Sequence, residues 1–323
     1  MKFSITIPTY KTAFLAEAIE SVLSQTYQDF ELIIVDDCSP EDVHSIVSRY
    51  QDNRISYYRN ENNCGAVNVV DNWNICLSYC TGEYVICMGD DDRLKTNCLE
   101  EYQYIIEKYP GLGVYHAWTE IINEKSEVFK LQEARPEWEG PASLLWHRWN
   151  GRNMQYIGDF CFDIKRLKED GGFVFIPLAW GTDDVTAVRA ARYGGIAQTR
   201  IPCFQYRDNE LTITRSGYEL IKIEALLRER DLYLNMLETL DDSLVVPRSL
   251  HLQDEISEVE QLYLASVKQQ LAARFSSRIS HYIKLDIRSH YFRGFAWLLK
   301  AKRYGLTMKR IVTLWVKALV NDQ

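Results

Sequence analysis

Three clusters of carboxylates stand where they could do chemistry: Asp36-Asp37, Asp90-Asp91-Asp92 and Asp183-Asp184. Adjacent ionised carboxylates repel by about 4 kcal/mol per close pair at an effective dielectric of ~20. A divalent cation shared with a phosphate-bearing ligand relieves such repulsion, because hard cations prefer carboxylate oxygen. A lone carboxylate can also take a proton from an attacking hydroxyl. The ordinary reading of any one cluster is a solvated acidic loop. Three clusters at strand ends or helix starts weigh against that reading.

The elements that must hold them alternate strand and helix, as an α/β fold requires. Phe3 to Ile7 reads as a strand, ended by Pro8-Thr9-Tyr10. Phe14, Leu15, Ala18, Ile19, Val22 and Leu23 form a helical stripe. Glu31 to Val35, nearly all apolar, reads as a strand buried on both faces and ends in Asp36-Asp37. A helix is expected from Pro40 or Glu41 to Tyr50, a strand over Ile55 to Tyr58, and a helix over Val69 to Tyr79. The strand Glu83 to Cys87 then runs into Met88-Gly89 and the acidic run. A helix over Leu99 to Tyr109 and a strand over Gly113 to Thr119 come next, whereas the polar, Trp-rich stretch 123–155 shows no clear period. Asp183 to Tyr193 is expected to be helical, with Thr182 or Asp183 as N-cap, and Gly195 to Tyr206 supplies one or two late strands. In a parallel sheet wound with right-handed crossovers, the first two acidic clusters fall on one edge, where open α/β sheets bind ligands.

The ordered segments Ser4–Tyr10, Ser21–Tyr27, Ile33–Ser39, Asn72–Asn74, Gly82–Tyr84, Gly89–Asp92, Trp180–Asp184 and Tyr206-Arg207 resemble a family 2 glycosyltransferase with the GT-A fold. The resemblance covers roughly residues 1–215. It implies an α/β, Rossmann-like, mostly parallel twisted sheet with flanking helices, plus a helical C-terminal extension. Residues 1–215 would be the catalytic domain, with a nucleotide-sugar-binding half about 1–120 and an acceptor half about 121–215; residues 216–323 would be a helical, basic region. Pro8, Thr9 and Tyr10 would shape the nucleotide pocket, Asp37 would accept from a uracil imide, and Asp36 would orient its loop. Asp90 would lie near the ribose, Asp91 would coordinate Mn²⁺ or Mg²⁺ on the diphosphate, and Asp92 would support both. Many relatives carry Asp-x-Asp-Asp here, and Gly89 occupies the first position in this chain. Asp184 aligns with the usual base and Asp183 would hold the acceptor or cap its helix. Trp180 is a sugar platform or a core residue, and Arg207 meets the diphosphate or forms a structural ion pair. The implied activity is inverting transfer from a nucleoside-diphosphate sugar, UDP-linked by expectation, to a glycan or lipid-linked acceptor in surface polysaccharide biosynthesis.

Composition bounds the rest. A hydrophobic fraction of 46% is globular, and the eight cysteines show no Cys-x-x-Cys pair, which argues against a zinc site. No apolar run is long enough to span a membrane, and the opening residues enter a strand without a leader pattern, so a cytoplasmic protein is expected. The net charge of −8 is unevenly spread: Lys268 to Gln323 holds 12 Lys and Arg against two acids, a net +10 over an acidic body of −18. Basic residues interleaved with Trp297, Leu299, Trp315 and Leu319 suggest either an anionic membrane surface on the inner face of the cell membrane or a helical subdomain packed on the core or on a second subunit. Nucleic acid is disfavoured by the acidic body. A sugar nucleotidyltransferase would need a Gly-rich loop where Pro8-Thr9-Tyr10-Lys11-Thr12 stands, and a degenerate glycan-binding scaffold would have lost an acidic cluster.

Overall fold

The computed structural model describes residues 1–149, 154–209, 218–239, 256–289, 293–301 and 306–320. Strand β1 (Phe3–Thr9), helix α1 (Leu15–Leu23), β2 (Phe30–Asp36), α2 (Val43–Val47), β3 (Ile55–Arg59), α3 (Val69–Tyr79) and β4 (Tyr84–Cys87) form the first winding. The short β5 (Arg93–Leu94), α4 (Cys98–Lys108) and β6 (Val114–Ile122) come after it. Next are β7 (Val128–Leu131), β8 (Trp138–Glu139), α5 (Pro141–Trp149), β9 (Phe160–Asp163), α6 (Ile164–Glu169), α7 (Thr182–Ala191) and β10 (Ile196–Arg207). Four helices close the described chain: α8 (Glu219–Thr239), α9 (Ile256–Ser289), α10 (Arg293–Lys300) and α11 (Met308–Val320).

The strands make one sheet in the order β3-β2-β1-β4-β9-β6-β10-β5, with β7 on β6 and β8 on β10. The pairs β1–β2, β2–β3, β1–β4 and β6–β10 are parallel, and β9 runs against both neighbours, so β1, β2, β3, β4, β6 and β10 all point one way. Alternation along β1 and β2 divides the core. Phe3, Ile5, Ile7, Leu32 and Ile34 pack with α1, α2 and α4 on one face. Ile33, Val35, Val85 and Cys87 face the opposite side with α3, α5 and α7, and Ile223, Leu226, Leu271, Phe275 and Ile279 of α8 and α9 extend that core.

The sequence reading and the structure differ in several places. Helix α2 is one short turn starting after Asp42, whose side chain accepts the Ser45 N–H at 3.0 Å. The stretch 123–155 contains β7, β8 and α5, too short or too irregular to leave a period. Strand β9 separates β4 from β6, and the sequence pattern gives no sign of it. Helix α7 begins after Gly181 (φ 98°), not after Thr182 or Asp183, and no side chain caps it. The late strand is continuous: register shifts around Pro202 absorb a residue that cannot donate to the ladder.

The C-terminal region is helical. Its first two helices are packed against the core of the sheet, whereas α11 is apolar on two sides: Ile311 and Leu314 are buried, and Met308, Val312 and Val316 are exposed. No helix among the described residues is long and apolar enough to cross a membrane.

Candidate active site

Parallel pairing in register brings the ends of β1 and β2 together, Thr9 opposite Asp36, with β3 placing Arg59 opposite Asp36 on the other side. Asp36 is fully buried and saturated: it accepts from Ser39 N at 2.7 Å, from Tyr57 Oη at 2.8 Å, and from the Arg59 guanidinium. Burial and the Asp36 charge push the Tyr57 phenol up to about 12. Asp37 points the other way. Its Oδ1 accepts from Asn60 Nδ2 at 2.8 Å and Cys64 N at 3.0 Å, leaving Oδ2 with only a longer 3.2 Å contact to the same Cys64 N–H. Asp90 joins β4 to β1: one oxygen accepts from Thr9 Oγ1, Tyr10 N and Lys11 N, each at 3.0 Å. Pro8 is half-buried and Tyr10 is exposed beside this junction. Burial and the neighbouring Asp91 charge push the Asp90 carboxyl up to about 6 despite those donors.

Gly89 lies beneath the side chains of the two last acids. A Cβ there would meet Asp91 Oδ1 at 2.8 Å and Asp92 Oδ2 at 2.9 Å, so both carboxylates converge over its α-carbon. Asp92 is buried and accepts the Arg207 N–H at 2.9 Å, yet burial and Asp91 hold its carboxyl well above the usual range. Asp91 is half-buried and accepts from Asn209 Nδ2 at 2.7 Å. Among the described residues no group of three or more His, Cys, Asp or Glu side chains is disposed to hold a metal. Two converging carboxylates nevertheless fit a cation that completes its shell with phosphate and water oxygens.

Arg207 lies behind this turn. Its guanidinium is fully buried, donates to the Asp91 carbonyl at 2.7 Å and the Asn123 carbonyl at 3.0 Å, pairs with Glu17 at 3.0 Å, and covers the Phe14 ring. Of the two roles considered for Arg207, the structure shows the ion pair, with the guanidinium fully buried.

The third cluster opens α7. Asp184 is buried and both its oxygens accept from Arg148 Nε, at 2.8 and 2.9 Å. Asp183 is more exposed; one of its oxygens accepts the Asp184 N–H at 2.9 Å. Burial and then the Asp184 charge hold the Asp183 carboxyl well above the usual range, with Arg148 opposing. Arg148 thus pairs with Asp184, the carboxylate expected as the base, and Asp183 beside it is the more exposed of the two. Tyr156 joins the clusters: it stacks on Tyr206 at 3.6 Å, and burial, Asp159 and Asp92 raise its phenol while Arg148 opposes. Trp180 is half-buried, with the Lys222 ammonium 4.9 Å over its ring and Tyr282 at its edge. Behind Gly181 sits the Glu229 carboxyl of α8; a Cβ on Gly181 would meet its carbon at 2.7 Å. Sequence reasoning missed Arg148, Asn209, Glu17 and Glu229. Arg148 falls in the aperiodic stretch, and nothing in the spacing of the others marks them.

A family model, "Glycosyl transferase family 2", matches residues 4–169, just over half the chain. The chain belongs to glycosyl transferase family 2. The matched span contains the first two acidic clusters and Arg148, and the Asp183-Asp184 pair lies beyond it. Among curated members, the glycosyltransferase GlyG of Streptococcus pneumoniae is 38% identical over 123 residues, 36% of this chain and 40% of that protein. A Campylobacter jejuni GalNAc(5)-diNAcBac-PP-undecaprenol beta-1,3-glucosyltransferase is 38% identical over 101 residues, 30% of this chain and 32% of that protein. The chain thus aligns with well under half the length of these relatives. In fold, it is similar along its whole length to Staphylococcus aureus TarS 1-349 in complex with UDP-GlcNAc, with a TM-score of 0.64 at 16% identity, covering 93% of that chain. That likeness establishes the GT-A architecture together with its C-terminal helices.

Proposed function

We propose that this family 2 member transfers a sugar from a nucleoside-diphosphate sugar to a hydroxyl of a glycan or lipid-linked acceptor, with inversion at the anomeric carbon. The observation that carries the reading is Asp183: a partly exposed carboxylate of raised proton affinity beside a buried carboxylate paired with Arg148 at 2.8 Å. A carboxylate of raised proton affinity is the stronger base toward a hydroxyl proton. Asp184 and Arg148 position it. Direct attack by the deprotonated hydroxyl from the face opposite the leaving group inverts the centre.

Asp37, with Thr9 and Tyr10, would receive the nucleobase. UDP-linked donors are favoured, because the remaining acceptor capacity of Asp37 suits an imide N–H. Asp90 would lie toward the ribose. Asp91, supported by Asp92, would hold Mn²⁺ or Mg²⁺, which when bound stabilises charge on the departing diphosphate. Members that match this chain include a glucosyltransferase named for an undecaprenol-linked acceptor and a putative colanic acid biosynthesis enzyme of Escherichia coli, which supports surface polysaccharide assembly as the setting.

The exposed Met308, Val312 and Val316 stripe, with Leu299 and the exposed Lys300, Lys309 and Arg310 nearby, supports peripheral contact with an anionic membrane. Val312→Asp with Val316→Asp should abolish flotation with phosphatidylglycerol vesicles, and unchanged flotation rejects that contact.

The test of the activity is a screen of nucleotide sugars with Mn²⁺ or Mg²⁺ and without acceptor, following slow release of nucleoside diphosphate. One donor should be hydrolysed by the parent protein. Absence of binding and hydrolysis across UDP-, GDP- and dTDP-sugars would refute the reading.

A further inference from the structure

On the sheet, two strands away from the acidic run on β4, a second polar site has no role in the chemistry above. A cavity of ≈160 Å³ lies between the segment joining β7 to β8 and the strands β6 and β10. Its walls include His116, Gln132, Arg135, Gln198 and Arg200. Three of these carry buried polar atoms with no hydrogen-bond partner: Arg135 Nη1, Gln198 Nε2 and His116 Nδ1. His116 and Gln198 are almost completely buried.

Orphan donors of this kind are costly, at about 1–3 kcal/mol each and more for a charged group. The protein offers the guanidinium one satisfied bond in this region, Arg135 Nη2 to the Met154 carbonyl at 2.6 Å. The nearby carboxylate of Asp159 is already engaged, accepting from Thr119 Oγ1 at 3.1 Å and Gln132 Nε2 at 2.9 Å. It lies 3.2 Å from His116 Nε2, without the alignment of a hydrogen bond. Glu139, the other buried carboxylate facing Arg135, makes its hydrogen bond to Ser143 instead, at 2.9 Å. The volume is more than ten times the ~10–15 Å³ that one water needs, so the space admits a small ligand. A cationic fork, an amide N–H and an imidazole share a preference for oxygen, and the fork prefers anionic oxygen.

We infer that this cavity is a binding site for a small oxyanion, a carboxylate or phosphoryl group, held by Arg135 and Gln198 with His116 at its base. The cavity lies within electrostatic reach of the Arg148–Asp184 pair, and its test needs no turnover. Thermal unfolding is measured with inorganic phosphate, with D-glucuronate, and with D-glucose as the neutral control, all at matched ionic strength. At saturation, phosphate or glucuronate should raise Tm by about 3 °C, and glucose should leave it unchanged. Phosphate alone identifies a phosphoryl ligand, glucuronate alone a sugar acid, and both together any oxyanion of this size. Arg135→Gln should remove the shift. Gln198→Glu should place a carboxylate beside Arg135, raise Tm without ligand and abolish the response, which guards against Arg135→Gln failing to fold. A shift that survives both substitutions, an equal shift with glucose, or no shift with either anion overturns the inference.

Discussion

Asp36 and Asp92 are both buried at the same sheet edge, 0% and 4% exposed, and they are held in opposite ways. Asp36 is met by a backbone N–H, a phenol and a guanidinium. Asp92 is met mainly by the Arg207 N–H and faces the charges of Asp91 and Asp90, which with burial raise its proton affinity. The same division recurs in α7, where Arg148 satisfies Asp184 and leaves Asp183 short of donors. Acids saturated by the chain are scaffold. Acids that the chain leaves wanting positive charge keep a raised proton affinity, and under the proposed function a ligand completes the electrostatics at Asp92 and Asp183.

The largest effect should separate the two members of the α7 pair. Asp183→Asn should lower single-turnover transfer by about 10²–10⁴-fold with an unchanged unfolding midpoint. Asp184→Asn should cost about 3 kcal/mol of stability, because it leaves Arg148 without its counter-charge. Loss of transfer by Asp184→Asn at full stability, with Asp183→Asn active, would reverse the assignment. At the sheet edge the contrast should appear as a difference in sign. In denaturant titrations at pH 7.5 with EDTA, Asp36→Asn should destabilise by about 2 kcal/mol, having lost an acceptor for Arg59 and Tyr57. Asp92→Asn should be neutral or stabilise by about 1 kcal/mol, since it removes a repelled buried charge. Equal destabilisation by both would dissolve the comparison.

Much of this was legible in the sequence because apolar composition marks the strands and the acids immediately after them mark the sheet edge. Ile33-Ile34-Val35 before two acids, and Val85-Ile86-Cys87 before Met88, Gly89 and three, needed only the rule that parallel strands end on one side. Partnership stayed hidden. Asp36 and Asp92 have similar local surroundings in the sequence, and their difference comes from Arg59 on a neighbouring strand and from the backbone at Arg207, far along the chain. Gly89 looked like a departure from an acidic pattern, and in the fold it lies beneath two converging carboxylates. Arg148 lay in a stretch whose elements are too short for periodicity, and β9 is four residues long. The sequence of the C-terminal region left open a membrane surface or packing on the core, and the chain uses α8 and α9 to cover its own core and leaves one side of α11 exposed.

The smallest effect concerns an acid of the second kind that lies away from the sheet edge. Glu229 of α8 is buried against Gly181, paired with Arg278 of α9 at 3.2 Å, and faces Asp184 and Arg148, with Arg274 nearby on α9. Burial pushes its carboxyl up to about 7, and Arg278 opposes that shift. The unfolded chain releases this proton near 4.5 and the folded chain keeps it to about 7. Stability is therefore greatest below 4.5 for this group and falls as pH rises toward 7. Glu229→Gln, which cannot titrate, should lose that component of the slope, and the difference between variant and parent should grow by about 1 kcal/mol from pH 6 to pH 7. Urea unfolding at four pH values measures it. Parallel pH curves for the two proteins would mean that Arg278 holds Glu229 ionised throughout, which would place it with Asp36 among the saturated acids.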